Sequence, residues 1–162
     1  MAQGQIEAAS AAIRRIAEEV QGSLNRARVL DAYVEITLAV NDVAAARVAA
    51  DELSEIAGQY QAPLLLALSS RAVGAVLLAE HDARRALSFL RRSWTTWCDL
   101  DAPFEASRTA VLTALACRKL GDEDAAKTEL TAARKVFEKL RARIRPGFPE
   151  KKPLTSPGPL IV

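Results

Sequence analysis

Apolar and polar positions along the chain fall into a pattern that returns every forty residues. At that displacement Asp42, Asp82 and Asp122 share one column, and the column before it holds Asn41, His81 and Gly121. Ala46, Ala86 and Ala126 stand four places later, and Ala50, Leu90 and Leu130 four further on. Then come Ala57, Trp97 and Phe137, and Tyr60, Leu100 and Leu140. Upstream, Leu24 aligns with Leu64 and Phe104, and Val34 with Gly74 and Ala114. The three copies keep register without a gap, which marks an internal repeat.

Each unit reads as two helices. The first spans 24–40, 64–80 and 104–120, and the second 43–60, 83–100 and 123–142. Asn or Gly before the aspartate tolerates the left-handed backbone that closes a helix. The aspartate caps the next helix by accepting a backbone N–H, and its charge suits the positive end of that helix. Pro63 and Pro103 fall at the start of a first helix, where a missing N–H does no harm. Ile6, Ser10, Ile13, Ile16, Ala17 and Val20 align one period upstream of Ala46, Ala50, Leu53, Ile56, Ala57 and Tyr60. Residues 3–21 are therefore expected to be the second helix of a unit whose first helix is absent.

The expected organisation is a helical repeat domain over 1–145, made of that half repeat and the repeats 24–60, 64–100 and 104–142. A tail over 146–162 follows. Two helices joined by a two-residue turn lie antiparallel and need small side chains where they cross. The columns of Val34, Gly74, Ala114 and of Ala46, Ala86, Ala126 supply that room. Leu90, Leu130, Trp97 and Phe137 fill the space between hairpins, which must stack to bury their apolar faces. The predicted fold is all-α, a solenoid of antiparallel hairpins with about seven helices.

Composition agrees with this picture and narrows the function. The 162 residues are half hydrophobic but only 5% aromatic, and much of the remainder is Ala, Leu, Arg and Glu, which favour helix interiors. A net charge of +2 creates no global field for nucleic acid. No apolar run is long enough to span a membrane, and MAQGQIEAAS lacks the layout of a secretion signal. With two cysteines in no metal-type spacing, a cytoplasmic location is expected. Five of the seven prolines crowd into residues 146–162, so the tail is expected to be an extended linker or to lie along the body. The basic run Lys139, Arg141, Arg143 and Arg145 before it suits a helix C-terminus. It has too few charges and no aromatic interleaving for a nucleic-acid contact.

The columns around Gly74, Ala86, Leu90 and the Gly121-Asp122 turn resemble tetratricopeptide repeats lengthened to forty residues, which implies a right-handed solenoid. The run PFEASRTAVLTALACRKLGDEDAAKTELTAARKVFEKL resembles the last helical repeat of large LuxR-type transcriptional regulators. LLALSSRAVGAVLLAEHDARRALSFLRRSW resembles their penultimate one. The likeness covers about residues 24–142 and rests on a diffuse pattern. It implies the regulatory or protein-interaction region of such a regulator. The family's ATPase and helix-turn-helix are not matched: no P-loop is present, and Leu154-Thr155-Ser156 runs into Pro157-Gly158-Pro159.

Candidate chemistry is sparse. His81, the single histidine, sits in a turn column. Cys117 is expected to be a small core residue, and Cys98 to lie near the surface without a local partner. Carboxylate groups such as Glu18-Glu19 and Asp122-Glu123-Asp124 fall on helix surfaces or starts, where solvation and capping account for them. No catalytic residue, metal ligand or cofactor is expected.

What remains is a surface. If first helices line the concave face, as the resemblance implies, the inward columns are Arg28, Leu68, Arg108; Asp31, Arg71, Val111; Glu35, Ala75, Leu115; and Leu38, Leu78, Arg118. Arg28, Asp31, Glu35, Arg71, Arg108 and Arg118 are thus candidate groove residues. The guanidinium forks of Arg28, Arg71, Arg108 and Arg118 suit an acidic peptide or a small anionic effector, or these are ordinary solvated arginines. Trp94 aligns with Ser54 and Arg134 and is the candidate interface anchor, unless it lies flat on a neighbouring hairpin or the tail. The expected partner is a protein or a second copy, because an unpaired terminal helix leaves an apolar face. The other expectation is a small-molecule effector, anionic or a sugar, held in the groove. Direct nucleic-acid and membrane contacts are not expected.

Overall fold

The computed structural model describes residues 8, 11–13, 15–16 and 23–144. The expectations for the half repeat at 3–21 and the tail at 146–162 lie almost wholly outside these residues; the positions described upstream of 23 are helical. Six helices follow: α1 (Ser23–Ala39), α2 (Val43–Tyr60), α3 (Pro63–Ala79), α4 (Ala83–Asp99), α5 (Pro103–Lys119) and α6 (Glu123–Ile144). There is no strand among the described residues, and no helix among them is long and apolar enough to cross a membrane.

The turns explain the boundaries. Asn41, His81 and Gly121 are left-handed, with φ of 62°, 66° and 84°. At each, the following aspartate returns its N–H to a carbonyl five residues back: Asp42 to Thr37 at 2.8 Å, Asp82 to Leu77 at 2.9 Å and Asp122 to Cys117 at 2.9 Å. The left-handed residue before it returns its own N–H to a carbonyl three residues back, and this double closure satisfies the last carbonyls of the first helix. The same aspartates cap the second helices, Oδ1 accepting from the N–H of Ala45, Arg85 and Ala125 at 3.1, 3.0 and 2.9 Å. Between hairpins the left-handed residues are Gln61 and Asp101, both with φ of 50°. Pro63 and Pro103 then start α3 and α5 after Ala62 and Ala102, which supply no side-chain cap.

Each helix packs on the next, and α3 also packs on both α1 and α5. The second helices α2, α4 and α6 do not pack directly on one another. The closer layer is the inner one, so the stack bends toward α1, α3 and α5, whose shared surface is concave. The small columns stand at the crossings: Val34, Gly74 and Ala114 are buried, and Ala46, Ala86 and Ala126 fully so. At Gly74 an added Cβ would sit 2.7 Å from Leu90 Cγ and 2.8 Å from Leu90 Cδ2, so α3 and α4 approach only because that atom is missing. Leu90 and Trp97 are core residues, whereas Leu130 and Phe137 are half-buried. The Phe137 ring meets Phe104 edge-on at 5.7 Å.

Candidate functional site

The concave surface is floored by charged side chains linked across three helices. Asp31 and Glu35 lie one turn apart on α1, Arg71 lies in the middle of α3, and Glu105 and Arg108 share the first turns of α5. Arg71 is only 2% exposed. Its Nη2 donates to Asp31 Oδ2 at 2.6 Å and its Nη1 to Glu105. Arg108 Nη1 donates to Glu105 Oε2 at 3.0 Å, and its Nη2 to Glu35. Asp31, Arg71, Glu105, Arg108 and Glu35 thus form one ladder of alternating sign. Each guanidinium also stands over a ring: Arg71 at 5.7 Å from the Trp97 centroid and Arg108 at 5.9 Å from that of Phe104.

Burial and pairing compete within the ladder. Burial pushes the Asp31 carboxyl above its ordinary range, and the Arg71 charge offsets only part of that. Burial raises Glu35 as well, against the pull of Arg108. For Arg71 burial opposes the charge, but Asp31 and Glu105 outweigh it and hold the guanidinium protonated more tightly than usual. One oxygen each of Asp31 and Glu35 takes an arginine, and the other has no hydrogen bond among the described residues.

Above the ladder opens a cavity of about 400 Å³. Asp31, Glu35, Arg71 and Arg108 form its polar wall, while Val34, Leu38, Ala72, Ala75, Val111, Leu112 and Phe137 supply the apolar remainder. Four of the six groove residues read from the sequence therefore meet at one place. The other two do not. Arg28 is exposed one turn before Asp31 and outside the lining, and Arg118 is exposed near Glu123, with Nε 3.5 Å from its carboxylate. The arginines that do meet are not free, because carboxylates occupy their forks; Arg71 is buried and Arg108 partly exposed. Leu68 and Leu78 from the expected inward columns are buried in the core, and Leu115 is exposed outside the cavity. Searched against protein-family models and curated proteins, the chain matches none.

Glu105 is the member that sequence reasoning passed over. It aligns with Asn25, which is exposed, and Leu65, which is fully buried, so its column carried no clear signal. Trp94 is 44% exposed. It lies on the other side of the stack, at a groove of about 330 Å³ between α4 and α6 that Ala106, Ser107 and Ala110 of α5 help to line. Its counterpart Ser54 instead bonds across to Ser69 at 2.9 Å. Cys117 is buried and Cys98 exposed, both as free thiols. Burial, then nearby carboxylates, raise both thiol pKa values, so neither is a ready nucleophile. No group of three or more His, Cys, Asp or Glu among the described residues is placed to hold a metal.

Proposed function

We propose that the chain is a non-catalytic helical-repeat scaffold, the regulatory and protein-interaction region of a LuxR-type transcriptional regulator, working in the cytoplasm. The observation that carries this reading is the concave cavity, where Asp31, Glu35, Arg71 and Arg108 converge on a single surface made by α1, α3 and α5. Ionisable groups are gathered there, but each arginine is engaged by carboxylates, and the two thiols lie outside the lining. That arrangement recognises rather than reacts. The stack of helix hairpins, which we read as tetratricopeptide-like and right-handed, and the likeness of residues 24–142 to the family's last repeats supply the rest of the argument. Regulation would follow from occupation of the concave face altering assembly. Titrating the chain against an ATPase or helix-turn-helix protein encoded beside it tests this. Saturable binding that Ala75→Trp weakens at least tenfold is expected, and no binding at micromolar concentrations would overturn the reading.

A second reading has its own support. A cavity of about 400 Å³ is of the size that holds small ligands, with an apolar lining and few convergent polar groups. In this reading the repeats sense an effector that binds between the first helices and steadies their spacing.

A further inference from the structure

Taking the effector-sensing reading as its basis, we infer that the concave cavity selects an organic cation: an ammonium group on an apolar body. The ladder that runs through its wall holds three carboxylates, Asp31, Glu35 and, outside the lining, Glu105, against two guanidiniums, Arg71 and Arg108. It is one positive charge short. The two arginines that might have drawn an anion are already engaged on both terminal nitrogens. An anion would have to displace a carboxylate or stand beside Asp31 and Glu35, the two that line the cavity. An ammonium meets the opposite situation, because the second oxygens of Asp31 and Glu35 are unbonded among the described residues. Glu35 is the open end of the ladder, its side chain 48% exposed. Burial holds both carboxyls above their ordinary range, and the arginine charges beside them offset only part of it.

Arg71 Nε has no hydrogen-bond partner among the described residues either, but it is sealed from the cavity and offers the ligand no contact. The apolar part of the ligand would rest on Leu38, Ala75, Val111, Leu112 and Phe137. Arg28, on the same stripe of α1, lies outside the lining and does not neutralise the wall.

Three probes of one shape test the inference on the full chain: 4-phenoxybutylamine, 4-phenoxybutanol and 4-phenoxybutyrate. At about ten times its Kd the amine should raise Tm by about 3–6 °C through mass action. It should bind at least tenfold tighter than the carboxylate, and Glu35→Gln should erase most of that preference. Ala75→Trp, or Val111→Trp should the first variant fold poorly, should abolish the shift by filling the cavity. If the alcohol or the carboxylate binds at least as well as the amine, and Ala75→Trp abolishes that binding, the charge assignment falls while effector sensing stands. If none of the three shifts Tm at millimolar concentration, both fall. A lysine-bearing peptide that binds where the free amine does not would also overturn the inference, in favour of the protein-interaction reading.

Discussion

The turn at Asn41-Asp42 recurs at His81-Asp82 and Gly121-Asp122 with the same left-handed residue, the same double closure and the same aspartate cap. The concave floor is built the other way. Its central column reads Asp31, Arg71, Val111, an acid, a base and a hydrocarbon at three equivalent places. A repeating scaffold needs the same turn each time, because helix spacing depends on it. A recognition surface needs each place to differ, since identical charges stacked side by side would repel. In this molecule positions that repeat hold the frame, and positions that vary within the repeat hold the candidate site.

The sharpest way to break the comparison is at Arg71. Arg71→Ala leaves Asp31 and Glu105 facing each other without their shared cation. It should cost about 3–5 kcal/mol, the range for removing one partner of a buried pair. Urea unfolding measures it, and a loss below about 1 kcal/mol would mean that water reaches the ladder freely. Replacing the paired charges together should behave oppositely. Asp31→Leu with Arg71→Met and Glu105→Leu should leave stability unchanged or raise it by about 1–4 kcal/mol, because the charges at the buried centre are gone and the Arg108–Glu35 pair that remains is closer to solvent. That outcome would show the ladder to be kept for something other than stability.

The frame is tested at Gly74. Its column runs Val34, Gly74, Ala114, and only the middle crossing lacks room for a Cβ. Gly74→Leu should cost about 1–3 kcal/mol or more, read as a clear fall in Tm. An unchanged melt would show that α3 and α4 can move apart without penalty.

How far the sequence could be read follows from the same division. Helix number in 24–142, the paired turns and the small crossings were legible, because each rests on a local rule repeated three times. The observed first helices start and end one residue earlier than expected, since Pro63 and Pro103 take the first helical position rather than preceding it. The left-handed residues Gln61 and Asp101 were not legible, as neither is a residue type that favours that backbone strongly enough to announce it. Burial of Arg71 was not legible either. Arginine is exposed by default, and only the diagonal from Asp31 through Arg71 to Glu105 supplies two carboxylates. The opposite signs of Asp31 and Arg71 in one column were a hint. Glu105 belongs to another column, so a column-by-column reading separates it from its partners.

A smaller effect tests whether the three turns are equivalent in energy as well as geometry. Asp42→Ala, Asp82→Ala and Asp122→Ala each remove one N-cap acceptor and should each cost about 1 kcal/mol. Costs that agree within about 0.5 kcal/mol by chemical denaturation would support a uniform frame. A single dominant aspartate would mean that one hairpin carries the register for the rest.

The smallest expected effect is a response to pH, and its sign separates the floor from an ordinary surface. Asp31 and Glu35 have carboxyls raised in the folded chain, first by burial. In the window just above the ordinary carboxylate range the folded state therefore binds more protons than the unfolded one. Stability from these two groups is present below the unfolded value and is lost as pH rises through the folded value. Glu80 runs the other way: the hydrogen bond from Arg47 lowers its pKa, so its contribution is lost as pH falls. That pair lies at the surface, where screening leaves it little weight. Between pH 7 and about 5, Tm should hold steady or rise slightly. Asp31→Asn should flatten the rise, because the group that takes up the proton is gone. A parent whose Tm falls steadily over that interval would show the carboxylates to be governed by their arginines rather than by burial.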